Sequence, residues 1–193
     1  MSGRLERELR EYVTEKRLRH CLGVRDTAVE LALRWNASSE KAGLAGLLHD
    51  VARELSREEI LRLVREDCGG DGASVPCGPV ALKNPAVLHA WAGMIIARDR
   101  FGVRDEEVLR SISLHTTGAP GMGTLERVLF VADYIEPGRS FKGVVKARDL
   151  AWRDLEDAVR YILKSTLKAL LRKGRPICDL TVQAYNEIML RRA

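Results

Sequence analysis

Apolar residues recur at helical spacing through almost the whole chain, and the interruptions between them are short. Leu5, Leu9, Tyr12 and Val13 predict a short first helix. A second runs from about Lys16 to Trp35 on Leu18, Leu22, Val24, Val29, Leu31 and Leu33. Asn36-Ala37-Ser38-Ser39 stops it. Ser38 or Ser39 can cap a third helix that carries His49 and Asp50 in its last turns. Ser56 and Glu59 form a capping box that opens a helix to about Glu66. The glycine cluster GGDGASVPCGP predicts a long loop over 68–83. Asn84-Pro85 then starts a helix to about Arg100, and Asp105-Glu106-Glu107 starts another that ends at His115. A second loop covers 116–123, and Thr124 caps a helix that ends at Asp133. Asp154 opens a long amphipathic helix closed by Gly174, and a last helix runs from about Thr181 to Arg191. No run of β-branched or aromatic residues alternates, so the fold class is all-α. A single domain over 1–193 is expected, with a core of about 16–150 and the helices of about 151–193 packed on it.

Within this pattern a few polar residues interrupt apolar faces. The stretch Leu44–Arg53 reads LAGLLHDVAR, and His49 and Asp50 stand side by side at the end of its apolar run. Burying an imidazole and a carboxylate is costly unless they are paired, hydrogen-bonded or bound to a metal. The other three histidines, His20, His89 and His115, each fall in a predicted helix or at a helix end, as does Asp133. Taken singly, each is an ordinary surface or core residue. The ordered set is more specific.

Composition narrows the partners. The chain is 46% hydrophobic and 31% charged, as a folded globular protein should be, with a net charge of +5. Arginine and glutamate are interspersed instead of forming a basic block. That charge suits a polyanionic small substrate, a nucleic acid or merely a solvated surface, and no basic stripe with stacking aromatics accompanies it to favour nucleic acid. Cys21, Cys68, Cys77 and Cys178 make no C-x-x-C pair, so a thiolate zinc site is not expected, and they are read as free thiols in a reducing compartment. The N-terminus has no apolar signal core, and no apolar run approaches the roughly 18 residues of a membrane span. A cytoplasmic location without membrane contact is expected.

LLHDVAR (Leu47–Arg53), LHAWAG (Leu88–Gly93) and above all LHTTGAPGMGTLERVLFVADYIEPGR (Leu114–Arg139) resemble the HD superfamily of metal-dependent phosphohydrolases. More closely they are similar to its YqeK-like branch, the symmetrical diadenosine tetraphosphate hydrolases. FKGVVKARDLA (Phe141–Ala151) and TVQAYN (Thr181–Asn186) fit later segments of that family. One departure is Cys178, where relatives tend to have histidine.

The resemblance implies a helical bundle with His20, His49, Asp50 and Asp133 on one metal, and His89 and His115 on a second that Asp50 bridges. Imidazole and carboxylate suit two divalent first-row ions, iron first, with manganese, cobalt or zinc as alternatives. It implies attack of a metal-bound hydroxide that splits diadenosine tetraphosphate into two ADP. Asp50, Arg53 and Arg139 are expected in catalysis. Arg53, Thr116, Thr117, Gly118, Arg139 and Lys142 are expected to bind the phosphates, with Arg148 a weaker candidate. Arg53 stands where relatives usually have lysine. A homodimer is compatible with this reading. Two rivals remain: an HD phosphohydrolase acting on a nucleoside mono- or triphosphate, and a non-enzymatic basic helical protein that binds RNA.

Overall fold

In a computed structural model, which describes residues 2–69 and 78–191, the predicted periodicities become helices packed around two apolar clusters. The helices are α1 (Ser2–Leu9), α2 (Glu15–Arg34), α3 (Ser39–Leu48), α4 (Arg57–Asp67), α5 (Gly78–Lys83), α6 (Pro85–Asp99), α7 (Glu106–Leu114), α8 (Thr124–Ile135), α9 (Val144–Arg153), α10 (Leu155–Arg172) and α11 (Asp179–Leu190). No strand occurs among the described residues. The fold is all-α.

The caps explain most boundaries. Thr14, Ser38, Asp105 and Asp154 each accept a bond from a first-turn backbone N–H, and Ser56 with Glu59 completes the capping box. Three expectations change. The cap of α8 is Gly123, not Thr124, and the Glu126 carboxylate takes the Gly123 N–H. The stretch expected as loop to Lys83 ends in α5, while 70–77 lies outside the described residues. A helix at 144–153 was not predicted. Its exposed Val145 and Trp152 blur the apolar periodicity, although Val144, Ala147 and Ala151 are buried.

The larger cluster joins α2, α3, α7, α8, α9, α10 and α11 through residues such as Leu31, Leu48, Ile112, Leu129 and Ile162. The smaller joins α1, α4 and α6 to one side of α2 through Leu9, Leu18, Ile60, Leu88 and Ile95. The polar residues sit where the two meet. Leu47 belongs to one cluster and Leu48 to the other, and His49 follows immediately. The backbone after α3 therefore leaves both cores at one point and carries His49 and Asp50 into the seam.

The cysteine reading needs correction. Cys178 is buried and disulfide-bonded, whereas Cys21 is a buried thiol; Cys77 lies outside the described residues. Pairing depends on two sulfurs being brought within bonding reach by the fold, which spacing along the chain does not report. Cysteine usage thus no longer argues for a reducing compartment. No helix among the described residues is long and apolar enough to cross a membrane.

Candidate metal centre

Five segments deliver one side chain or pair each. α2 carries His20, the end of α3 carries His49 and Asp50, α6 carries His89, the end of α7 carries His115, and the last turn of α8 carries Asp133. His49, Asp50, His89 and His115 are buried, and His20 and Asp133 are partly so. Their donor atoms form three overlapping sets, each within 4.8 Å: His20, His49 and Asp50; His49, His115 and Asp133; Asp50, His89 and His115. All six metal-ligand candidates from the sequence are in one place.

Asp50 faces both ways. Its Oδ2 lies 3.6 Å from His20 Nε2 and 3.5 Å from His49 Nε2. Its Oδ1 lies 3.0 Å from His89 Nε2 and 3.6 Å from His115 Nε2. Asp133 Oδ1 closes the first group, at 3.1 Å from His20 Nε2 and 3.8 Å from His49 Nε2.

The outer ring nitrogens decide what the inner ones can do. His20 Nδ1 donates to Glu136 Oε1 at 3.1 Å, His49 Nδ1 to the Gly46 carbonyl at 2.8 Å, and His115 Nδ1 to the Ile112 carbonyl at 2.7 Å. In a neutral ring the proton is then on Nδ1 and a lone pair is on Nε2. His20 Nε2 and His49 Nε2 are 3.3 Å apart, the spacing that two ring nitrogens sharing one cation would take. Two nitrogens each about 2.1 Å from one ion would stand about 3–3.5 Å apart. The donor set fits a first-row divalent metal.

Electrostatics agree. Burial pushes the His49 imidazole down to about 4, against the pull of the nearby carboxylates, so it is neutral at pH 7. Burial also lowers His89. At His115 burial opposes protonation, but the hydrogen bond to Asp50 and the charges of Asp50 and Asp133 outweigh it, and its value is raised. Burial would raise Asp50 and Asp133, yet the surrounding histidines, with Arg139 at Asp133, hold both well below the usual carboxylate range. Two ionised carboxylates in a buried pocket require positive charge.

Part of that charge comes from arginines. Arg17 Nη1 is 2.8 Å from Asp50 Oδ2, and Arg139 pairs with Asp133 and also donates to its backbone carbonyl at 2.9 Å. Arg53 Nη1 is 3.1 Å from His89 Nδ1. Arg53 and Arg139, expected from the sequence, therefore touch the centre directly.

The other substrate candidates divide. Thr116 Oγ1 is 3.2 Å from His115 Nε2. Thr117 is buried. Gly118 has φ +63, and a Cβ there would meet Met122, Leu163 and Ala184. Its backbone turns the loop and packs on the core. Lys142 is exposed. The Arg148 guanidinium bonds the carbonyls of Ile135 at 2.8 Å and of Glu136 and Arg139 at 2.9 Å each. It caps the end of α8 and fixes the turn that carries Glu136 and Arg139.

Two residues escaped the sequence reading. Arg17 lies one helical turn before His20, a spacing that could have flagged it. Glu136 is buried behind His20, takes the Gly138 N–H at 2.5 Å as well, and approaches so closely that a Cβ on Gly23 would lie 2.8 Å from its Oε2. As a carboxylate behind a ligating histidine it fixes ring orientation. The signal was present in the glutamate three residues after Asp133.

Comparison with known proteins agrees with the site. The HD domain family matches residues 17–138. Two curated relatives are named symmetrical bis(5'-nucleosyl)-tetraphosphatase. The one from Halalkalibacterium halodurans is 37% identical over 97% of each chain, and the one from Bacillus subtilis is 38% identical over 92% of each. A crystal structure from Clostridium acetobutylicum, described as a predicted HD superfamily hydrolase involved in NAD metabolism, superposes with a TM-score of 0.91. It is 40% identical, over 99% of this chain and 98% of that one.

Proposed function

The chain belongs to the HD domain family, and on that premise we propose that it is a symmetrical bis(5'-nucleosyl)-tetraphosphatase, a metal-dependent phosphohydrolase that splits diadenosine tetraphosphate into two ADP. The observation that carries the reading is Asp50, whose two oxygens serve separate pairs of inward-facing histidine nitrogens. On that division His20, His49, Asp50 and Asp133 would hold one divalent ion, and Asp50, His89 and His115 would hold a second. Iron leads the candidates, followed by manganese, cobalt and zinc, because nitrogen and oxygen ligands of this kind suit them all. When bound, such ions supply positive charge that activates water and stabilises phosphoryl oxygens.

The chain's own residues favour a polyphosphate. Three carboxylates, Asp50, Asp133 and Glu136, are matched by three guanidiniums, Arg17, Arg53 and Arg139. Two divalent ions would leave a net charge of about +4, against about four negative charges on a tetraphosphate chain. Arg17 Nε is buried without a hydrogen-bond partner, a donor suited to an arriving phosphate oxygen. Arg139 bonds Asp133 and can reach phosphates that do not react, which decides the phosphorus presented to water.

The test is product analysis on diadenosine tetraphosphate with chelator-treated protein, before and after reloading with each of the four metals. ADP as sole product, dependent on metal, is the expected result. ATP with AMP, or no turnover with any metal, overturns the reading.

A further inference from the structure

We propose that Arg53 and a metal ion compete for His89, so that filling the Asp50–His89–His115 half of the centre releases Arg53 toward the substrate's phosphates. The inference rests on the metal-centre reading above. A guanidinium has donors only. His89 Nδ1, 3.1 Å from Arg53 Nη1, must therefore accept. The single proton of the neutral ring is then on Nε2. There it meets the acceptor Asp50 Oδ1 at 3.0 Å. The chain of donors runs outside to inside, from Arg53 through His89 to Asp50.

This is the reverse of the other three histidines, whose outer nitrogens all face acceptors: Glu136, the Gly46 carbonyl and the Ile112 carbonyl. A metal on His89 Nε2 needs the lone pair there. The proton must move to Nδ1, with no net gain or loss of protons by the ring. Nδ1–H and the Arg53 N–H are then two donors face to face, and the guanidinium must leave. The surroundings permit that movement. The Arg53 side chain is exposed, while its backbone is held by its own N–H to the Asp50 carbonyl at 2.9 Å. The next residue, Glu54, accepts from both Thr14 N and Thr14 Oγ1. A tethered backbone with a free side chain can swing without disturbing the ligands.

The experiment is long-range proton–nitrogen NMR of the histidine rings in the metal-free full chain, assigned with single His→Gln variants. His20, His49 and His115 should appear protonated at Nδ1 and His89 at Nε2. Adding Zn²⁺, a diamagnetic probe, should convert His89 to the Nδ1 form. Arg53→Met should convert it without metal and should tighten the second Zn²⁺ equivalent by about tenfold, the worth of a lost charge-assisted bond. Arg139→Met, which removes the guanidinium paired with Asp133 but leaves His89 untouched, should not change that tautomer. A metal-free His89 protonated at Nδ1 overturns the proposal, as does second-ion binding in Arg53→Met no tighter than in Arg139→Met. Failure to bind Zn²⁺ at all overturns the metal-centre reading along with it.

Discussion

The two halves of the centre share Asp50 but differ in how their histidines are held. Around His20 and His49 every outer contact is an acceptor: a buried carboxylate, Glu136, on one ring and a backbone carbonyl on the other. Around His89 the outer contact is a guanidinium. The first half presents its lone pairs before any ion arrives. The second must exchange a proton position and displace an arginine. Chemically similar ligand sets thus differ in readiness because of the neighbours behind them, and the first half should load first.

The largest expected effect comes from removing what the halves share. Asp50→Ala should lose both ions and lower kcat by about a thousandfold or more, while the helical circular-dichroism spectrum persists. Elemental analysis beside kinetics checks it, and full activity in that variant would dissolve the two-half description. Next is Glu136→Ala, which unties His20 but no other candidate ligand, and also frees the Gly138 N–H. Affinity for the first ion should fall roughly 10–100-fold in a metal titration, and loading order should reverse or merge. An unchanged first step would mean the buried carboxylate does not set the difference.

Arg17 sharpens the comparison differently, because it bonds a carboxylate and not a ring nitrogen. Arg17→Met should raise KM roughly tenfold and leave both the His89 tautomer and the metal content unchanged. Loss of metal in that variant would make Arg17 part of the ligand scaffold. The smallest effect on chemistry belongs to Arg148, which bonds three backbone carbonyls at the end of α8. Arg148→Met should cost about 2 kcal/mol of stability in denaturant unfolding, with activity falling only as far as the Glu136–Arg139 turn loosens. A wild-type midpoint would show that water replaces the guanidinium there.

Legibility in the sequence followed the range of each interaction. Helix type and most caps are local: Ser56 and Glu59 sit three residues apart and find each other in the structure as the spacing predicts. The same reasoning missed α9, whose exposed Val145 and Trp152 break the apolar stripe. Nor did it show that Thr117 is buried and that Gly118 packs on Met122 and Leu163. A residue's type announces what it can bind, but not which way it faces.

By itself the sequence determined an all-α chain and the order of its chemistry: His20, His49-Asp50, His89, His115, Asp133, with Arg53 and Arg139 nearby. The helices follow from periodicity, a property of the chain taken a few residues at a time, and the site set follows from the resemblance of its motifs to the HD superfamily. Only the tertiary structure decided that Asp50 divides its oxygens between two groups, that Glu136 and Arg17 stand behind them, and that Cys178 is disulfide-bonded. Tertiary structure alone decided, too, which nitrogen of each ring faces inward. That choice depends on whether a donor or an acceptor from a distant helix or turn lies behind the ring, and packing between segments remote in sequence sets it.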